Sequence, residues 1–117
     1  MKKILVVDDE EHILTLVELS LKSDFEISKA RNSKETFHEI SSQKPDLVLL
    51  DLMLPNVNGF EICGKLKKMK VPVWILSAKG LKDDIKKGLE CGADDYITKP
   101  FDPDELLGKI KSYFGGD

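Results

Sequence analysis

The chain has 117 residues, with 18 basic and 21 acidic side chains and a net charge of −3. That length suits one domain with a single core, and 41% hydrophobic with 33% charged residues describes an ordinary soluble globule. Mild acidity without a Lys/Arg-rich block argues against nucleic-acid binding by this segment, and the apolar runs are too short to span a membrane.

Met1-Lys2-Lys3 leads straight into a strand-like run with no small-residue cleavage site, so no signal peptide is read. Lys3–Val7 is almost wholly apolar and β-branched, the pattern of a strand buried on both faces. Glu11–Lys22 carries Ile13, Leu14, Leu16, Val17, Leu19 and Leu21 behind an acidic first turn, which predicts a helix. Phe25–Lys29 alternates Phe25 and Ile27 with Glu26 and Ser28, as an edge strand does. Asn32 or Ser33 caps a helix running to about Ser42, with Phe37 and Ile40 inward. Pro45 precedes the strand Leu47–Leu50. Leu54–Gly59 is a loop, with Asn58-Gly59 a strong turn signal, and the helix Phe60–Met69 follows. Pro72 opens the strand Val73–Leu76. Leu81, Ile85 and Leu89 form a narrow apolar stripe on a further helix, which Gly92 ends. Asp95–Thr98 is a short strand. Asp102-Pro103 reads as a cap followed by proline at the first helical position, opening a last helix to about Phe114. Residues 1–117 form one domain, and 115–117 are a flexible tail or the start of a linker.

Five βα units with right-handed crossovers predict an α/β fold: a single doubly wound, five-stranded parallel sheet of the flavodoxin-like (βα)5 kind. Strand order 2-1-3-4-5 places the switch point between the first and third strands, and ligands bind there, beyond the carboxyl ends of the strands. Asp8, Asp9 and Asp51 end those two strands. Ser77 ends the fourth strand and Lys99 the fifth. Three carboxylates, a hydroxyl and an amine therefore converge on one edge.

Four blocks carry a resemblance: Val6-Val7-Asp8-Asp9-Glu10, Asp51-Leu52-Met53-Leu54-Pro55, Ser77-Ala78-Lys79, and Gly92 through Phe101 with the run Asp94-Asp95-Tyr96-Ile97-Thr98-Lys99-Pro100. In combination and order they resemble bacterial two-component response-regulator receiver domains, and their wording is most similar to the winged-helix transcription-factor branch. The resemblance covers essentially the whole chain. It implies that Asp51 accepts a phosphoryl group from a sensor histidine kinase. Asp8 and Asp9 resemble the acidic pair that holds Mg²⁺, with Met53 giving its backbone carbonyl to the metal. Ser77 and Lys99 would contact the phosphoryl oxygens, and Tyr96 resembles an aromatic switch residue. The predicted output is a changed surface on the helix around Leu81–Leu89, the last strand and the last helix, read by an output domain or partner. A cytoplasmic location is expected. A C-terminal DNA-binding output domain outside this chain and a phosphorylation-dependent homodimer are further implications. Lys99-Pro100 is a candidate cis peptide on the same ground.

The chemistry fits these residue types. Phosphoryl transfer is mostly positioning and charge neutralisation, and a carboxylate nucleophile gives an acyl phosphate. Asp51 must then stay ionised and exposed. Carboxylates about 4 Å apart repel by about 4 kcal/mol per pair at an effective dielectric near 20, a penalty that a divalent cation removes. Mg²⁺ binds oxygen ligands and often takes one or two carboxylates plus phosphate. Asp9 and Asp51 are the better candidates for direct ligation, with Asp8 acting partly through water. Lys99 supplies a point charge that can pair with Asp51 before phosphorylation.

Plainer readings apply elsewhere. Cys63 and Cys91 lack metal-ligand spacing and read as reduced thiols. His12 is a solvated helix residue and Trp74 a core residue. Ser at position 77, Asn58, the large Trp74, and Lys109 and Lys111 in place of arginine depart from the common family pattern. The two lysines put the usual dimer contact in doubt, because lysine makes no bidentate carboxylate pair. Three rival functions are disfavoured. A haloacid-dehalogenase-type phosphohydrolase needs a second Asp where Met53 stands. A pseudo-receiver that only binds partners would not need the intact acidic pair, Asp51, Ser77 and Lys99. A flavodoxin-like cofactor binder needs a phosphate loop where Asp8-Asp9-Glu10-Glu11 would repel phosphate.

Overall fold

The computed structural model describes residues 1–54, 59–78, 86 and 89–115. In chain order the elements are β1 (Lys3–Val7), α1 (Glu11–Leu21), β2 (Glu26–Ala30), α2 (Ser33–Gln43), β3 (Leu47–Asp51), α3 (Gly59–Lys68), β4 (Val73–Ala78), β5 (Asp95–Lys99) and α4 (Pro103–Tyr113). The five strands form one sheet in the order β2-β1-β3-β4-β5, with every neighbouring pair parallel. The predicted stripe of Leu81 and Ile85 lies outside the described residues, as do Asn58, Lys79 and positions 116–117. Leu89 and Glu90 are helical.

Two apolar layers cover the two faces of the sheet, and the strands divide their side chains between them with a period of two. Ile4, Val6, Leu47, Leu49, Trp74, Leu76 and Ile97 face α1 and α4, meeting Leu14, Val17, Leu106 and Ile110. Leu5, Val7, Val48, Leu50, Val73 and Ile75 face the other way, meeting Ile40, Ile62, Cys63 and Leu66. This two-sided burial explains why the central strands read as continuous apolar runs.

Local chemistry sets the boundaries. Asn32 caps α2, its side chain accepting from the Glu35 amide at 2.8 Å. Asp102 caps α4 through the Asp104 amide at 2.8 Å, with Pro103 opening the helix. Gly92 ends its helix with φ +104°, a conformation that glycine adopts without strain. Two details differ from the sequence reading. Of the apolar residues on α1, Leu16 and Leu19 are exposed, because the buried stripe is filled by Ile13, Leu14, Val17 and Leu21. Strand β2 begins after Phe25, whose amide still bonds the Leu21 carbonyl at 3.0 Å and so belongs to the end of α1. The Lys99–Pro100 bond is cis.

Candidate functional site

The site lies at the carboxyl ends of β1, β3, β4 and β5. Parallel register carries each polar residue to that edge: Val7 pairs with Leu50, Asp51 with Leu76, Ser77 with Thr98 and Ala78 with Lys99. Asp8 follows β1 directly, held by its amide bonding the Ala30 carbonyl at 3.1 Å. Its carboxylate is fully buried, and one oxygen accepts from the Glu10 amide at 2.9 Å. Asp51 closes β3 and accepts from the Met53 amide at 2.9 Å.

Lys99 reaches across the edge from β5. Its ammonium is 2.7 Å from Asp8 Oδ2 and 3.3 Å from Asp51 Oδ2. Three of the residues singled out in the sequence thus meet around one nitrogen. The sequence reading paired Lys99 with Asp51; the nearer partner is Asp8. Asp51 was expected to be exposed, and it is 3% exposed. The correction has a simple cause: β3 is the central strand, covered on both faces, and Lys99 caps its end.

This burial has an electrostatic consequence. Desolvation pushes the Asp51 carboxyl above its ordinary pKa, and the Asp8 charge adds to the rise, against the opposing pull of the Met53 amide and Lys99. Burial alone would lower the Lys99 ammonium, but the hydrogen bond to Asp8 and the Asp51 and Asp8 charges outweigh it and raise its pKa.

The remaining residues are placed less tightly. Ser77 is 3% exposed, and its hydroxyl donates to its neighbour's carbonyl, Ala78 O, at a long 3.4 Å. Asp9 and Met53 are exposed. Tyr96 is exposed, its ring lying 5.6 Å from the Lys109 ammonium on α4.

Ligand atoms of Asp8, Asp9 and Glu10 lie within 4.8 Å of one another, a group of carboxylates that could hold a cation. Glu10 was missed by the sequence reading, although four successive acids, Asp8 to Glu11, after a buried strand signalled it. Asp51, proposed there as a direct ligand, does not fall within that group. The donors are all carboxylate oxygens, a ligand type that a hard divalent cation such as Mg²⁺ accepts, and the pair Asp8 and Asp51 holds more negative charge than Lys99 offsets.

Known proteins resemble the chain in sequence and fold. The family model described as the response regulator receiver domain matches residues 4–111. The chain is 45% identical over 114 residues to the alkaline phosphatase synthesis transcriptional regulatory protein PhoP of Bacillus subtilis, covering 95% of this chain and 48% of that protein. It is 43% identical over 116 residues to the phosphate regulon transcriptional regulatory protein PhoB of Pseudomonas aeruginosa, covering 95% and 51%. The chain therefore spans about half the length of the curated relatives it matches. Among solved structures it resembles the BeF3-activated DrrB receiver domain, with a TM-score of 0.89 and 34% identity over 98% of both chains. A two-component response regulator from Clostridium difficile superposes with a TM-score of 0.92 at 26% identity, over 98% of this chain and 97% of that one.

The chain belongs to the response regulator receiver domain family, the signalling domains of two-component systems. Its similarity to PhoP- and PhoB-type regulators is consistent with the winged-helix branch. Among the described residues no helix is long and apolar enough to cross a membrane.

Proposed function

We propose that this chain is a phospho-acceptor switch in which Asp51 takes a phosphoryl group from a sensor histidine kinase. The observation that carries the reading is the Lys99 ammonium, 2.7 Å from Asp8 and 3.3 Å from Asp51 beside the Asp8, Asp9 and Glu10 carboxylates. An Asp51 oxygen attacks the donor phosphorus; a new P–O bond forms as the donor's P–N bond breaks, and the freed histidine nitrogen keeps the electron pair. Asp8 and Asp9, with the Met53 carbonyl, are the residues that would hold Mg²⁺ next to Asp51. When bound, the ion neutralises charge on the carboxylates and on the transferring group.

The chain's own groups do the positioning. The Met53 amide fixes one Asp51 oxygen, leaving the other toward Lys99. Lys99 shares its charge between Asp8 and Asp51, and it can turn to a phosphoryl oxygen without leaving the site. Ser77, whose bond to the Ala78 carbonyl is long, can turn its hydroxyl from that carbonyl to donate to that group. Movement of Ser77 and Tyr96 then alters the surface of β5 and α4. The output is changed binding, to a C-terminal DNA-binding domain, to a partner or to a second copy of the chain. The relatives' names as transcriptional regulatory proteins support the first of these. The chain would work in the cytoplasm and catalyse only its own phosphorylation and dephosphorylation.

The test is incubation with Mg²⁺ and acetyl phosphate, followed by intact-mass measurement. One added phosphoryl group that Asp51→Asn abolishes and Asp9→Asn slows supports the reading. Absence of any adduct from acetyl phosphate or a histidine kinase would leave a partner-binding pseudo-receiver.

A further inference from the structure

Two departures from the family pattern, Trp74 on β4 and Lys109 on α4, meet in space. The Lys109 ammonium lies 5.3 Å from the centre of the Trp74 ring and 5.6 Å from that of the Tyr96 ring. It donates to the Tyr96 carbonyl at 3.0 Å and pairs with Asp95 at 3.1 Å. Trp74 is fixed in turn: it is 2% exposed and packs edge-on against Tyr113 at 5.2 Å.

We propose that Lys109 is a positioning residue that latches the Tyr96 ring in its outward position through a cation–π contact, biasing the domain toward its resting state. Of its four partners among the described residues, three do not depend on where the Tyr96 ring points: the Asp95 carboxylate, the Tyr96 backbone carbonyl and the buried Trp74 ring. They hold the cation in place, and the Tyr96 ring is the one partner free to rotate about its own side-chain bonds. Rotation inward gives up the contact with the cation and leaves the other three intact. The lysine therefore adds a fixed bias toward the outward ring without blocking the inward one. An exposed cation–π contact biases such an equilibrium by about two- to five-fold. Trp74 matters because a smaller residue would remove one of the groups that hold the ammonium in place.

The inference rests on the reading of Tyr96 as a switch residue, and the experiment separates the two. The chain has two tyrosines and one tryptophan. With 3-fluorotyrosine incorporated, ¹⁹F spectra resolve Tyr96 from Tyr113, assigned with Tyr113→Phe. Beryllofluoride with Mg²⁺ is expected to move the Tyr96 signal of the unsubstituted chain. Lys109→Met, without any activator, is expected to move the same signal part of the way in the same direction, with the inward population raised about two- to five-fold. The variant should still acquire one phosphoryl group at Asp51, and Lys109→Arg, which keeps the cation, should behave as the unsubstituted chain. If beryllofluoride moves the Tyr96 signal and Lys109→Met leaves the resting spectrum unchanged, the latch is refuted while the switch reading stands. If beryllofluoride moves nothing although Asp51 is phosphorylated, Tyr96 is not a switch and the latch falls with it.

Discussion

Replacing Gly59 by alanine tests how the loop after β3 is built. Gly59 is the first residue of α3, and a Cβ placed there would sit 2.6 Å from both Cα and O of Leu52. Those are backbone atoms, so no side-chain rotation relieves the clash. Ordinary contact would require a shift of about 0.8 Å, and forced overpacking of this kind costs about 1–3 kcal/mol. Alanine's better helix propensity acts the other way, by at most about 1 kcal/mol. Overpacking wins, for a net loss of about 1–2 kcal/mol and a fall in Tm of about 4–8 °C for a domain of this size. Gly64 in the same helix has nothing within 4 Å of the position that an added methyl would take, so Gly64→Ala should raise Tm by about 2–4 °C, from propensity alone. Leu52 follows Asp51 directly, so Gly59→Ala should also disturb the 2.9 Å bond from the Met53 amide to Asp51. Thermal unfolding with and without Mg²⁺ measures both effects. A Gly59→Ala chain as stable as Gly64→Ala would refute the packing argument.

Asp51→Asn should stabilise the metal-free chain at neutral pH. The Asp51 pKa is raised on folding, so its favourable contribution is complete below the unfolded value of about 3.9 and is lost as pH rises through the folded value; urea titrations across pH should show that downward slope flattened in the variant, and an unchanged slope would contradict the assignment. Lys99→Met leaves Asp8 and Asp51 without the ammonium they share, which should cost about 3 kcal/mol, the low end for breaking a buried pair. Part of that loss should return in acid as Asp51 takes up a proton, and a loss independent of pH would mean that packing rather than charge is responsible. The two thiols should differ sharply. Cys63 is buried with its pKa pushed up to about 11, chiefly by desolvation, and Cys91 is exposed. At pH 8 a disulfide reagent should modify Cys91 at least about a hundredfold faster than Cys63, and equal rates would show that α3 opens readily.

The sheet was legible because burial on both faces writes itself as uninterrupted apolar runs. Val6-Val7 and Leu49-Leu50 split their side chains between the two layers, one residue to each. Capping was legible at Asn32 and Asp102, where a short polar side chain satisfies its own helix. The α1 face was less so. Six apolar residues compete for a stripe that holds four, and the sequence does not say that Leu16 and Leu19 are left outside. Which of them is covered depends on where α4 lies, a contact made across the whole length of the chain.

At the candidate site, position along the chain gave the edge but not the distances. Register alone brings Asp8, Asp51, Ser77 and Lys99 to the same end of the sheet. It does not decide that Lys99 lies nearer Asp8 than Asp51, since that depends on how a long side chain crosses two strands. The distinction matters for the proposed switch. Asp8 is fully buried and Asp51 almost so, and one ammonium cannot neutralise both. Phosphorylation would replace the single charge of Asp51 with nearly two, on oxygens that reach further toward β5. The stronger attraction then lies on the Asp51 side. Lys99 would exchange its nearer partner for the new group, and Asp8 would be left to a cation. A lysine already shared between two carboxylates makes that exchange by a small displacement, with no buried charge stranded during the change.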